Sequence, residues 1–196
     1  MIVRDGATAI RVARRVRNAL GQRFRYAHVL RVARFAVTLA RAHGVDVAQA
    51  RTAGLLHDLA RLYSNERLLA ECRERDMAVD AFEAAHPIVL HARVGAEIAR
   101  DEYGVDDEAV LEAIRRHTVG GTTMTKLDCV IFLADGLEPG RDFNDRPILA
   151  DLAMRDLNAA MRTMLRSSMA YLRSRGSTVA PVTLAALELF AKETSA

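Results

Sequence analysis

Apolar side chains recur at spacings of three and four residues along most of the 196-residue chain, whereas the alternation of apolar and polar residues that marks β-strands is almost absent. The pattern therefore predicts an all-α protein. A less regular stretch is expected around Phe82. Helices are expected over residues 8–20, 25–42, 46 or 47 to 58, 65–75, 87–103, 106 or 107 to 117, from 125 to beyond 134, 147–173 and 181–190.

The helix that starts at Thr125 has the most apolar sequence of the set. Thr125 and Asp128 have the spacing of a capping box, in which each side chain accepts a hydrogen bond from the other's backbone N–H. Residues 130–134 are apolar on every side of the helix, so we expect this helix to be the central, buried one. Asp135 follows directly, which places a carboxylate next to the core.

The first predicted helix is amphipathic, with arginines expected on its outer face. Its inner face is expected to carry Ile10, Ala13, Val16 and Leu20. No repeat, low-complexity tract or convincing domain boundary interrupts the chain. We therefore predict a single domain over residues 21–196, with residues 1–20 forming a helix that packs on it.

Composition narrows the class of protein without identifying it. Hydrophobic residues make up 51% of the chain and charged residues 27%, which is typical of a soluble globular protein. The net charge of +3 falls short of the concentrated basic face expected for non-specific nucleic-acid binding. No run approaches the roughly 18 apolar residues of a membrane-spanning helix. Cys72 and Cys129 fit neither a zinc-ribbon nor a disulfide pattern, so the expected location is a reducing cytoplasm.

Ionisable side chains interrupt the apolar faces of several predicted helices. One histidine on such a face is ordinarily a core residue with a satisfied hydrogen bond, but here four of the six histidines are predicted to point inward together with two carboxylates. A buried carboxylate needs a partner, and a cation is the expected one. Imidazole and carboxylate suit iron, manganese, zinc or cobalt, and the lack of thiolates disfavours a structural zinc site. The candidate groups are His28, His57, Asp58, His91, His117 and Asp135.

Two further polar positions each allow more than one interpretation. Arg141 follows Asp135 by six residues and is placed either to bind phosphate or to form a surface salt bridge with Glu138 or Asp142. His86 precedes a proline and is expected to be an exposed helix cap or a supporting group near the site, with a catalytic role as a further alternative.

Five blocks in fixed order are similar to the HD-domain metal-dependent phosphohydrolases, and within that family to the YqeK-type symmetrical bis(5'-nucleosyl)-tetraphosphatases. The family signature is a histidine, an adjacent His-Asp pair and a later aspartate, which correspond to His28, His57-Asp58 and Asp135. The similarity extends over residues 25–183. Arg61 is a departure, since many relatives have lysine there. The blocks are RYAH at 25–28, GLLHD at 54–58, HPIVLH at 86–91, AIRRHT at 113–118 and ADGLEPGR at 134–141.

The resemblance implies an HD-domain helical bundle with a metal site in its core, which hydrolyses diadenosine tetraphosphate symmetrically to two ADP. It implies one or two ions of iron, or alternatively of manganese or another divalent transition metal. The implied metal ligands are His28, His57, Asp58 and Asp135. The implied catalytic residues are Asp58, which would also orient water, and His91 and His117, which would bind a second ion or the polyphosphate. The implied substrate-binding residues are His28, His91, His117, Asp135, Gly136, Arg141, Thr178, Val179, Ala180, Pro181, Val182 and Thr183.

Two other functions are compatible with the sequence. An HD-domain nucleotidase acting on mononucleotides or deoxynucleotides would use the same ligands, and a non-catalytic RNA- or ribosome-associated module would use the arginines of the first helix. The expected partner is a dinucleoside polyphosphate, with ADP as product. Membrane and nucleic-acid partners are disfavoured, and the sequence leaves open whether the chain forms a homodimer. The arginines of the first helix that the RNA- or ribosome-associated alternative would use are Arg11, Arg14, Arg15 and Arg17.

Overall fold

The computed structural model describes residues 1–192, and within that range the backbone forms helices and loops without a β-strand. The predicted all-α class is therefore confirmed. The elements are α1 (Gly6–Leu20), α2 (Arg23–His43), α3 (Val47–Leu56), α4 (Asn65–Glu74), α5 (Ala81–Ala85), a 3-10 turn (Pro87–Leu90), α6 (His91–Asp101), α7 (Glu108–Arg116), α8 (Lys126–Leu137), α9 (Arg146–Arg155), α10 (Leu157–Ser174) and α11 (Pro181–Lys192).

Capping boxes start two helices, of which α8 was predicted from the sequence and α5 was not. At α8, Thr125 accepts a hydrogen bond from the backbone of Asp128, and Asp128 accepts one from the backbone of Thr125, so the predicted capping box is confirmed. A second capping box, formed by Asp80 and Glu83, starts α5. The prediction of an irregular stretch around Phe82 is therefore wrong, although the Asp-x-x-Glu spacing that signals this helix is present in the sequence.

Helices α2 and α3 pack closely because a glycine lies at their contact. A Cβ atom at Gly54 would lie 2.8 Å from the Cα atom of Ala33, nearer than real Cβ atoms approach, so only glycine allows this separation. The close packing brings His28 on α2 near His57 at the end of α3, with ring centroids 5.4 Å apart. The local sequence of α3 thus determines where two polar side chains meet.

Helix α8 forms the centre of the bundle. It packs against α2, α3, α7, α9 and α10, and every residue from Leu127 to Ala134 is buried. This confirms the predicted central helix. Because α8 has no polar outer face over this length, its position between other helices is the arrangement that removes most apolar surface from water.

Helix α1 covers one side of the bundle through contacts with α2 and α3. Its buried residues are Val12, Val16 and Leu20, one at every fourth position, whereas Ile10 is 63% exposed. The prediction that Ile10 points inward is wrong, because the buried stripe is centred on Val12 and Val16. The division into residues 1–20 and a domain at 21–196 stays a prediction, and its last four residues, 193–196, lie outside the described residues.

Two predicted helices are interrupted. The single helix expected over residues 147–173 is wrong: α9 ends at Arg155 and α10 starts at Leu157, because Asp156 leaves the helical conformation and caps α10 through the backbone N–H of Ala159. The helix expected over 87–103 starts as the 3-10 turn and becomes α-helical only at His91. Among residues 1–192, none of the helices combines the length and apolar character needed to cross a bilayer.

Candidate metal centre

The structure brings together all six candidate metal-binding groups from five helices. His28 lies on α2, His57 and Asp58 follow α3, and His91 is the first residue of α6. His117 follows α7, and Asp135 lies near the end of α8. Five of the six residues are buried, whereas the side chain of Asp135 is 23% exposed. Side chains that are far apart in sequence therefore form one cluster that reaches the surface at Asp135.

Asp58 lies between two groups of histidines, which we call the first triad (His28, His57 and Asp58) and the second triad (Asp58, His91 and His117). Within each triad the candidate ligand atoms lie within 4.8 Å of one another. Asp58 Oδ2 is 3.7 Å from Nε2 of both His28 and His57. Asp58 Oδ1 is 3.5 Å from His91 Nε2 and 3.8 Å from His117 Nε2.

Asp135 supplies a second carboxylate on the side of the first triad. Its Oδ1 atom lies 3.1 Å from His28 Nε2 and 3.9 Å from His57 Nε2. It also belongs to a potential ligand group with His57 and His117. The first triad together with Asp135 therefore offers two imidazole nitrogens and two carboxylates around one position.

Hydrogen bonds at Nδ1 orient all four imidazole rings. The Nδ1 atom of His57 is 2.9 Å from the carbonyl oxygen of Gly54. His91 and His117 have equivalent contacts of 2.6 Å and 2.7 Å with carbonyls three residues earlier, and His28 Nδ1 is 3.1 Å from a carboxylate oxygen of Glu138. Since all these partners are acceptors, each Nδ1 carries the proton and each Nε2 presents a lone pair to the cluster.

This donor set fits a cation. His28 Nε2 and His57 Nε2 are buried, and neither makes a well-oriented hydrogen bond in the described part of the chain. His91 Nε2 and His117 Nε2 approach to 3.2 Å, with the Thr118 hydroxyl 3.2 Å and 3.1 Å away, so one hydroxyl proton faces two nitrogen lone pairs. Buried acceptors that face one another without enough donors are satisfied by a metal ion.

Burial and neighbouring charges favour the protonation states that bind metal. Burial lowers the pKa of His57 below its usual value and lowers the pKa of His91 to about 3. Burial alone would raise the pKa of Asp58 and Asp135, but positive charge outweighs it, from the surrounding imidazoles when they are protonated and, beside Asp135, from Arg141, so the pKa of each carboxyl is lowered. Neutral imidazoles and ionised carboxylates are the forms that act as ligands.

Glu138 contacts the cluster through Nδ1 of His28 and was not identified as a functional residue from the sequence. It is buried, and its carboxylate contacts His28 Nδ1 and accepts two hydrogen bonds from Arg31, of 2.5 Å and 3.0 Å. Burial alone would raise the pKa of Glu138, but hydrogen bonds from Arg31 and His28 lower it to about 2. Its position before a proline in a predicted turn resembles that of a surface residue, and only the ADGLEPGR block hinted otherwise.

A pocket of about 280 Å³ opens above the cluster and is lined by three arginines. Arg25 Nη1 lies 3.2 Å from Asp58 Oδ2, and Arg141 Nη2 lies 2.5 Å from Asp135 Oδ1. The alternative of a salt bridge from Arg141 to Glu138 or Asp142 is therefore wrong, because the turn after α8 directs Arg141 back to the cluster. Arg61 is the third arginine, and His91, Thr118, Asp58 and Asp135 also line the pocket.

A larger cavity of about 710 Å³ adjoins this pocket, and the two share Ile88, Val89 and Thr118. Its lining is mainly apolar, with contributions from Phe82 and from α10. Three residues of the predicted segment 178–183 line it, whereas Val179, Pro181 and Val182 do not. The residues of the segment that line the cavity are Thr178, Ala180 and Thr183.

Hydrogen bonds fix the segment 178–183 beside the larger cavity. The Thr178 hydroxyl is 2.7 Å from His86 Nε2, and the Thr183 hydroxyl donates to the Val119 carbonyl at 2.8 Å. His86 also occupies the cap position between α5 and the 3-10 turn, so its role at the site stays a prediction. Gly136 lines neither cavity, and a Cβ atom there would lie 2.5 Å from the Cε atom of Met164. Its contact with substrate stays a prediction.

Comparison with known proteins places this geometry in a class. A model of the HD domain family matches residues 25–140, more than half of the chain, and this range contains all six cluster residues. The chain therefore belongs to the HD domain family.

Within that family, the chain is similar over most of its length to enzymes named "Bis(5'-nucleosyl)-tetraphosphatase, symmetrical". The protein from Halalkalibacterium halodurans is 35% identical over 82% of this chain and 86% of its own length, and that from Bacillus subtilis is 35% identical over 81% and 85%. A crystal structure of a "predicted HD superfamily hydrolase involved in NAD metabolism" from Clostridium acetobutylicum matches with a TM-score of 0.90, at 31% identity over 93% of this chain and 96% of that one. The relatives and the fold agree with the resemblance drawn from the sequence blocks.

Proposed function

We propose that this protein is a metal-dependent hydrolase that cleaves diadenosine tetraphosphate symmetrically into two ADP. The observation that carries the proposal is the convergence of four imidazole lone pairs and two carboxylates beneath an arginine-lined pocket, which adjoins a larger apolar cavity. The names of the two relatives described above support the substrate. A pocket for phosphate beside a cavity for an aromatic base is what a nucleotide substrate requires.

The proposed metal ligands are His28, His57, Asp58 and Asp135. A bound divalent ion lowers the pKa of water toward neutrality and offsets the negative charge of the attacked phosphoryl group. The mixed imidazole and carboxylate set suits iron, with manganese or another divalent transition metal as the alternative. Both cysteines are buried, and neither belongs to the cluster.

Asp58 has the central part in the proposed chemistry, because each of its oxygens faces a different pair of histidines. Oδ2 faces the metal-binding histidines, and Oδ1 faces His91 and His117. Oδ1 is thereby placed to accept a hydrogen bond from the attacking water and hold it in line with phosphorus. As neutral rings, His91 and His117 would bind a second ion through Nε2, whereas a contact with the polyphosphate would require a proton on Nε2 to donate.

The arginines of the pocket are proposed to bind the polyphosphate. Arg25 and Arg141 pair with Asp58 and Asp135 in the absence of substrate, and phosphate oxygens offer both guanidinium groups new bidentate partners. One nucleoside would then occupy the larger cavity, where Thr178, Ala180 and Thr183 border it. Thr178 and Thr183 are held by His86 and Val119, which keeps this wall of the cavity rigid.

Product analysis tests this function directly. Diadenosine tetraphosphate incubated with the metal-loaded protein is expected to give ADP as the sole nucleotide product, and the Asp58→Asn variant to give none. AMP together with ATP would contradict symmetrical cleavage. Faster hydrolysis of mononucleotides or deoxynucleotides than of the dinucleotide would instead support the nucleotidase alternative.

The remaining expectations about partners and location stay predictions. Cys72 and Cys129 lie far apart in the sequence and fit neither a zinc-ribbon nor a disulfide pattern, which supports a reducing compartment, and we propose that the enzyme acts in the cytoplasm. The non-catalytic alternative requires steeply salt-dependent RNA binding that His57→Ala leaves unchanged. The oligomeric state follows from light scattering of the metal-loaded protein.

A further inference from the structure

Positive charge is concentrated in the first quarter of the chain. Residues 1–51 contain eleven arginines and no lysine, against two aspartates and no glutamate, which gives a net charge of +9, whereas the whole chain carries +3. The rest of the chain is therefore net negative. An asymmetry of this size indicates a surface that binds anions.

A cavity of about 400 Å³ lies within this basic region, between α1, α2 and α3. Four arginines from the three helices line it, together with a floor of small and apolar residues and the ring of Tyr26. The arginines are Arg14, Arg17, Arg34 and Arg51, and the apolar residues are Ala9, Ile10, Ala13, Leu30, Ala33 and Leu55.

No carboxylate belongs to the described lining of this cavity. Arg14, Arg17 and Arg34 are exposed and form no ion pair within residues 1–192, and Arg51 donates to the carbonyl oxygen of Val3. This differs from the pocket above the metal centre, where Arg25 and Arg141 each pair with an aspartate. Four like charges around one concavity repel each other, and a multivalent anion removes that repulsion.

The cavity is separate from the metal centre. Its lining residues on α2, including Tyr26 and Ala33, lie on a different face of the helix from His28, and no residue lines both this cavity and the arginine-lined pocket. The same helices nevertheless carry or lead into the ligands His28 and His57. A ligand bound here therefore contacts the elements that position the metal ligands without blocking the substrate.

We propose that this cavity is a second binding site for a nucleoside polyphosphate, distinct from the catalytic pocket. The base rests on the apolar floor beside Tyr26, and the phosphates contact Arg14, Arg17 and Arg34. Two features favour a compact ligand over an extended polymer: the arginines converge from three helices on one concavity, and the volume falls in the range of small-molecule sites.

The test titrates full-length, metal-loaded protein with β,γ-imido-ATP, which resists hydrolysis, by calorimetry. The wild type is expected to bind at two sites. Arg14→Gln/Arg34→Gln is expected to weaken one of them by about 10- to 100-fold, because each lost arginine removes charge-assisted hydrogen bonds. Arg73→Gln/Arg166→Gln is the matched control, since it removes the same charge from exposed arginines that do not line the cavity, and it is expected to keep both sites.

A second variant tests whether nucleotide binding depends on the cavity itself or only on the basic surface around it. Ala9→Phe fills the space without changing charge and is expected to abolish binding at the second site while diadenosine tetraphosphate hydrolysis continues. A wild type in which no nucleotide-binding site is lost on Ala9→Phe would overturn the proposal. So would tripolyphosphate binding as tightly as the nucleotide with no effect of Ala9→Phe, or binding of single-stranded RNA in place of the nucleotide. Hydrolysis of the dinucleotide is measured separately, so neither result depends on the catalytic assignment.

Discussion

The two triads share Asp58 but differ in the groups that complete them. Asp135 adds a second carboxylate to the first triad, with Oδ1 3.1 Å from His28 Nε2, whereas the second triad is completed by the neutral hydroxyl of Thr118. The first triad therefore has enough negative charge to hold a divalent cation. The second triad has only the shared carboxylate, and His91 and Thr118 face the arginine-lined pocket.

The difference indicates that the two triads have different roles within one cluster. Acceptors surround the position beside His28 and His57, which suits permanent metal binding. The position beside His91 and His117 is lined on one side by the substrate pocket, so it suits groups that meet the polyphosphate or an ion that arrives with it.

Replacing the shared residue should disable both triads. Asp58→Asn keeps the size of the side chain but removes its charge, and we expect turnover of diadenosine tetraphosphate to fall by at least about 1,000-fold, since several kcal/mol of stabilisation are lost. Asp142→Asn is the matched control, because Asp142 is exposed and lies outside the cluster. Turnover of the Asp58 variant within tenfold of wild type would be incompatible with this mechanism.

Replacing one histidine in each triad should separate their roles. His28→Gln is expected to lower affinity for the divalent metal by more than about 100-fold, since it removes a direct ligand. His91→Gln is expected to retain at least one tightly bound ion yet lose most turnover. Metal content after gel filtration measures the first effect and steady-state rates the second. Equal metal loss in both variants would show that the triads act as one site.

Glu138, which contacts the first triad through His28, should affect metal affinity less than the metal ligands themselves do. Glu138→Gln leaves a neutral acceptor against His28 Nδ1 and removes the ion pair with Arg31, so we expect metal affinity to fall by about 10- to 100-fold. Competition with a fluorescent chelator measures the affinity. Glu97→Gln, which removes a carboxylate paired with Arg115 away from the cluster, is the control. An unchanged affinity would mean that His28 is oriented without Glu138.

Arg141, which lines the pocket above the metal centre, should affect substrate binding more than the chemical step. Arg141→Ala is expected to raise KM for diadenosine tetraphosphate by about tenfold, because a charge-assisted contact to phosphate is lost, with a smaller change in kcat. Arg155→Ala, which breaks an exposed pair with Asp151, serves for comparison. A large fall in kcat at unchanged KM would place Arg141 in the chemical step.

The pH dependence of stability should report the buried histidines in metal-free protein. The pKa of His91 is about 3 in the folded state and about 6.5 in the unfolded chain. Between these values only the unfolded chain binds the proton, so the contribution to stability is complete above about pH 6.5 and is lost as pH falls.

Urea unfolding in chelator, from about pH 7.5 to about pH 4.5, measures this dependence. The slope attributable to one such histidine is at most about 1.4 kcal/mol per pH unit. His91→Gln should reduce the slope by that share, while His57, whose pKa is also lowered by burial, still contributes. The same slope in both proteins would show that His91 is not held neutral.

Much of the fold was predictable because local signals agreed with tertiary packing. The apolar run at 130–134 and the Thr125 capping box identified α8, and the inward histidines identified the cluster. The break at Asp156 was not predictable from periodicity, since apolar spacing continues across it and only the capping geometry interrupts the helix.

The parts of the site that escaped prediction depend on contacts between distant segments. Glu138 looks like a turn residue until α2 places His28 and Arg31 against it. Arg25 begins the RYAH block, but that block alone assigns it no partner, and the structure places its Nη1 atom 3.2 Å from Asp58 Oδ2. Of the segment 178–183, the sequence resemblance indicated all six residues, but only Thr178, Ala180 and Thr183 line the larger cavity.

The most direct test of metal-dependent hydrolysis is to measure diadenosine tetraphosphate turnover as a function of bound metal. Protein stripped with chelator is reloaded stepwise with iron(II) or manganese(II), and ions per chain are counted by mass spectrometry. We predict turnover near zero without metal, a rise in proportion to occupancy, and saturation at one or two ions per chain. Turnover that is unchanged in protein containing no bound metal would contradict the account.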